Sequence, residues 1–128
     1  LDEEQICLIY SMISEMTKKA LDSLKHSKKT EELYERLTTP GLLGEVQPAE
    51  AMCDLVENEY IKRLLRNASD SYIRFALSTG RHKEEIKEER NKLTELLKNG
   101  ELKKAEKALD AYFKLLAKAV NEERGMNE

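Results

Sequence analysis

Residues 81–123 read RHKEEIKEERNKLTELLKNGELKKAEKALDAYFKLLAKAVNEE. Apolar side chains recur first at Ile86, Leu93, Leu96 and Leu97. They recur again at Leu102, Ala105, Ala108, Leu109, Tyr112, Phe113, Leu116 and Val120. Both sets keep the i, i+3, i+4 spacing of one buried helical face. Gly100 separates them at the place where a left-handed cap ends a helix, since it has no Cβ to clash. Two long helices with so short a join are antiparallel neighbours. Arg90 falls on the first stripe, four residues after Ile86 and three before Leu93. Tyr112 falls on the second, between Leu109 and Leu116. An Arg aimed at a core needs an anionic partner, because an unpaired buried charge is costly.

Working outward, residues 59–79 predict another long helix, opened by Asn58 as its cap. Its expected inner stripe is Ile61, Leu64, Leu65, Ala68, Tyr72, Phe75 and Ala76, with Arg63, Arg66 and Arg74 as solvated flanks. Residues 3–26 predict a long first helix. Ile6, Ile9, Ile13, Met16, Ala20 and Leu24 form its inner face, and Leu8, Tyr10, Met12 and Leu21 widen it. Acidic residues crowd its start and lysines its end, which suits the helix dipole. Short helices are expected at about 30–38, with Thr30 as cap, and from Pro48, which suits a first helical position. The run 38–44, with one Pro and two Gly, is a break, and the tail 125–128 is expected to fray. The pattern is an all-α antiparallel bundle of about six helices in one domain, 1–128.

The composition narrows function. The 128 residues are 40% hydrophobic and 37% charged, with a net charge of −3. Such a chain has no general attraction for nucleic acid or for an anionic membrane. No apolar run approaches the ~20 residues of a membrane span. Cys7 and Cys53 lie far apart and read as buried free thiols of a cytoplasmic protein. His26 and His82 read as exposed. No phosphate-binding glycine loop, zinc-protease motif, Cys/His cluster or Glu-x-x-His pair occurs, so no enzyme, no metal and no cofactor is expected.

Over 58–113 the chain resembles the C-terminal ligand-sensing domain of GntR-type transcription regulators, the FadR-like (FCD) group. The residues that carry the resemblance are Glu89-Arg90, Leu93, Leu96-Leu97, Gly100-Glu101, Ala105 and Tyr112-Phe113, with Asn58 opening the middle helix. In that family an Asp and several His hold a divalent metal inside the bundle. The corresponding positions here read Glu45, Ala49, Arg90 and Tyr112, so the resemblance implies a pocket without the metal. It further implies a small acidic effector, held by Arg90 with Tyr112, Glu45 and Tyr72 around it. A homodimer is implied too, as is DNA binding only through a preceding winged helix-turn-helix domain absent from this chain. From the residues alone, Arg90 has three open readings: an internal salt bridge to Glu45, a ligand anchor, or an exposed side chain. The competing functional reading is a helical interaction domain with a filled core and no ligand.

Overall fold

The computed structural model describes residues 1–38 and 48–127, the side chains of 126 and 127 apart. It is all-α. Six helices follow in order among the described residues: α1 (Glu3–His26), α2 (Thr30–Thr38), α3 (Pro48–Asp54), α4 (Glu59–Ser78), α5 (Lys83–Lys98) and α6 (Leu102–Asn127). The break expected over 38–44 lies outside the described residues from 39 on. α6 continues to Asn127, so the tail expected to fray is helical as far as that residue. Thr30 is the first helical residue of α2 rather than its cap.

Local chemistry accounts for the ends. Asp2 and Gln5 form a capping box at the start of α1: the Gln5 N–H donates to Asp2 Oδ1 at 2.8 Å, and the Asp2 N–H donates to Gln5 Oε1 at 2.9 Å. Two of the orphan amide donors of a helix start are thereby satisfied. Asn58 caps α4 through its side-chain oxygen, which accepts from the Ile61 N–H at 3.0 Å. At the end of α5 the Gly100 N–H reaches the Leu97 carbonyl and the Glu101 N–H reaches the Leu96 carbonyl, with Gly100 at φ +72°. This is the left-handed cap read from the sequence. Gly100→Val is expected to destabilise the chain by about 1 kcal/mol or more, through backbone strain. No neighbour lies within 4 Å of where a Cβ would sit, so a clash contributes nothing. Urea denaturation of the two proteins measures the difference, and equal midpoints would contradict the strain argument.

The core forms around α6, which touches α1, α4 and α5. Leu109, Phe113, Leu116 and Val120 of α6 are fully buried together with Leu93 of α5 and Leu21 and Leu24 of α1. The antiparallel α5–α6 pair is tied at its far end as well. Arg81 Nε lies 2.7 Å from Glu123, and His82 Nε2 lies 2.6 Å from Glu122. α1 is pinned to α6 through Asp110, which accepts from Ser14 Oγ at 2.8 Å and pairs with Lys18 at 2.8 Å. Burial alone would raise the Asp110 pKa, but hydrogen bonds from Lys18 and Ser14, with the Lys18 charge, hold it below its ordinary value. On the other side Arg36 and Arg66 converge on Asp54 at 3.1 and 2.8 Å, joining α2, α3 and α4.

Four further expectations about burial need correction. α4 is turned away from its expected face: Leu65, Ser69, Ile73 and Ala76 are buried, whereas Ile61, Leu64 and Phe75 are 46%, 58% and 54% exposed. Ser69 can enter the core because its hydroxyl donates to the Leu65 carbonyl at 2.8 Å. Leu8 and Met12 of α1 are also exposed, at 60% and 56%. Cys7 is exposed and only Cys53 is buried. His82 is half-buried rather than free in solvent: it precedes α5 in the left-handed region at φ 53° and pairs with Glu85 and Glu122.

Candidate functional site

α5 buries Ile86, Leu93 and Leu97. Arg90 belongs to that same face and is half-buried. Across the α5–α6 contact stands Tyr112, 1% exposed, with its ring edge-on to Phe113 at 5.4 Å. Burial pushes the Tyr112 phenol up to about 12, and the charge of Arg90 pulls in the opposite direction. The guanidinium is thus within electrostatic reach of the phenol. Both side chains are engaged within the chain. The structure therefore brings Arg90 and Tyr112 together. Glu45 lies outside the described residues.

Tyr72 sits elsewhere. Its ring meets Tyr10 of α1 edge-on at 5.7 Å, and its backbone carbonyl accepts from the Tyr10 hydroxyl at 2.7 Å. Burial, with the neighbouring Tyr72 phenol, pushes the Tyr10 pKa up. Tyr72 lines an open cleft of about 500 Å³ between α1, α4 and α6, with Ile6, Phe75, Val120 and Arg124 among its other walls. Neither Arg90 nor Tyr112 belongs to that cleft.

The sequence reading missed a second groove, of about 880 Å³, where α1, α5 and α6 meet. Glu3, Glu85, Glu88, Glu89 and Glu122 line it, opposed by Lys114 and Lys118, with the Cys7 thiol at its wall. Asn121 Nδ2 lies 3.5 Å from Cys7 Sγ. Glu89 Oε2 is buried and has no hydrogen-bond partner among the described residues. Hydrogen bonds that the His82 ring donates to the Glu122 and then the Glu85 carboxylate raise its pKa at the rim. The only local signal for this groove was the Glu85, Glu88, Glu89 run, which reads equally well as a solvated helix face.

Among the described residues no group of three or more His, Cys, Asp or Glu could hold a metal ion. No described helix is long and apolar enough to cross a membrane. No family model matches the chain, and neither a curated protein nor a solved structure matches it.

Proposed function

We propose that this chain is the effector-binding and dimerisation domain of a GntR-type transcription regulator, and that it binds a small acidic molecule without a metal. One observation carries this reading: the half-buried cation of α5 lies within electrostatic reach of the buried phenol of α6. A guanidinium grips a carboxylate bidentately, and such charge-assisted bonds are roughly twice as strong as neutral ones. The phenol adds one donor and an aromatic wall. The chemistry is binding, with no catalytic step, in a cytoplasmic protein. With a net charge of −3, DNA contact belongs to a preceding winged helix-turn-helix domain, since phosphate binding needs clustered basic charge. An effector acts there by its differential affinity for two arrangements of the domains.

Leu93, Leu109 and Phe113, each 0% exposed, favour the competing reading of a filled interaction domain. Native mass spectrometry of the purified chain, against the same sample denatured, separates the two. The expected result is a retained acidic molecule that is lost on denaturation and lost in Arg90→Ala while the variant stays folded. A clean apo mass, with Arg90→Ala merely less stable, would leave the filled interaction domain standing.

A further inference from the structure

Among the described residues nine large apolar side chains are more than a third exposed, and six of them lie on α1 and α4. On α4 these are Tyr60, Ile61, Leu64 and Phe75, at 81%, 46%, 58% and 54% exposure; on α1 they are Leu8 and Met12, at 60% and 56%. The two helices run antiparallel: Tyr10 meets Tyr72, while Met16, further along α1, packs in the cluster that contains Leu65, further back along α4. The other edge of α1 is held by α6 through Ser14 and Lys18 on Asp110. Helical spacing then places Leu8 and Met12 outward of Ile9 and Met16, on the α4 side of α1. It places Ile61, Leu64 and Phe75 outward of Leu65 and Tyr72, on the α1 side of α4. Leu8, Met12, Ile61, Leu64 and Phe75 therefore line the outer α1–α4 seam, with Tyr60 at the start of α4 and the exposed Lys19, eleven residues after Leu8, on the same line of α1.

We infer that this α1–α4 surface is the interface through which two copies of the chain pair about a two-fold axis lying along the seam, with α1 of each copy against α4 of the other. This deepens the dimerisation half of the function proposed above and rests on it. Two observations commit the surface to a second copy. The six side chains expose on the order of 700 Å² per chain, larger than a monomer's usual patch and close to the ~800 Å² that each partner buries in a stable interface. The edges are also self-complementary in charge. The outer edge of α1 carries Glu4, Glu15 and Asp22, spaced eleven and seven apart on one helical line. The outer edge of α4 carries Arg63 and Arg74, eleven apart, and Arg63 has no ion pair among the described residues. An axis along the seam brings the acidic edge of each copy to the basic edge of the other. An axis across it would oppose like charges. Glu15 and Arg74 already pair on their own helices, with Lys18 and Asp70, and isologous pairing gives Arg63, Glu4 and Asp22 partners as well.

Sedimentation equilibrium of the whole chain is the test. The wild type is expected at twice its 14.8 kDa. Leu64→Glu is expected to weaken association at least about tenfold with an unchanged helical spectrum. Ile61→Lys repeats the test if that variant fails to fold. Tyr34→Glu, at a 50% exposed position on α2, should leave the dimer intact. Arg63→Glu should weaken it, and adding Asp22→Lys should restore it. A monomer at every concentration, or a dimer indifferent to Leu64→Glu and Ile61→Lys, would overturn the proposal. A dimer lost with Leu64→Glu but not rescued by the charge exchange would overturn the α1-against-α4 arrangement. Subunit mass and retained ligand are separate readouts, so a monomer that still holds an acid would sink this surface and leave the binding reading intact.

Discussion

Phe113→Ala is expected to cost about 3–5 kcal/mol, the usual range when a buried aromatic is cut back to a methyl. The side chain is fully buried and stacks edge-on against Tyr112. It stands on α6, which touches α1, α4 and α5, so no single neighbour can move to fill the void without disturbing the others. A domain with about 5–15 kcal/mol in all would lose about a fifth of its stability or more. The chain has only two phenylalanines, and the other supplies the control. Phe75 is 54% exposed, and Phe75→Ala should change the folding of a single subunit by less than about 1 kcal/mol. Urea denaturation followed by helical circular dichroism, at several protein concentrations, separates the two. Equal costs at low concentration would mean that α6 is not the centre of the core.

The contrast between those two residues shows what sequence could and could not resolve. The α5–Gly100–α6 unit was legible because three independent signals agreed: the spacing of both stripes, the glycine, and the length of the join. α4 carries two overlapping apolar stripes. Leu65, Ile73 and Ala76 form one, interrupted by Ser69; Ile61, Leu64 and Phe75 form the other, uninterrupted. Periodicity favours the second. Packing chose the first, because the Ser69 hydroxyl satisfies itself on the Leu65 carbonyl and costs little to bury. The exposed stripe kept its apolar character, which is why it carries an interface proposal. Cys7 misled for a simpler reason: burial is the common fate of cysteine, but this one lies on the rim of an acidic groove.

Arg90 was legible from its place on the α5 stripe, and its neighbour Tyr112 follows once α5 and α6 are antiparallel. The position of Tyr72 depends on the rotation of α4, which its own sequence leaves ambiguous. Its ring turned to Tyr10 instead. His82 had no local clue. Its partner Glu122 comes from the far end of α6, forty residues on, and only the folded pair brings them to 2.6 Å. The acidic groove has the same origin, since its walls come from three helices.

The chain should lose stability steeply in alkali. Burial pushes the Tyr112 phenol up to about 12 from an ordinary 10 and the Cys53 thiol up to about 11 from 9, the latter eased by the Ser69 hydroxyl 4.0 Å away. The Tyr10 pKa is raised as well, by burial. Below the ordinary values both states hold these protons, and pH has no effect through them. Between pH 9 and 12 the unfolded chain releases protons that the folded chain keeps. The unfolded state then binds fewer protons, and stability falls as pH rises. At about 1.4 kcal/mol for each pH unit per proton so held, Tyr112 and Cys53 together remove on the order of 5 kcal/mol by the top of that window. Both side chains are at most 1% exposed, so solvent does not screen the effect away. The difference between variants is the cleaner readout. In melting curves from about pH 7 to 11.5, Tyr112→Phe should start less stable or equal and then fall less steeply than wild type above about pH 10. Cys53→Ala should flatten the curve about one pH unit earlier, above about pH 9, because the thiol ionises first in the unfolded chain. Parallel slopes for all three proteins would mean that water reaches both groups and that the interior around α6 is open rather than packed.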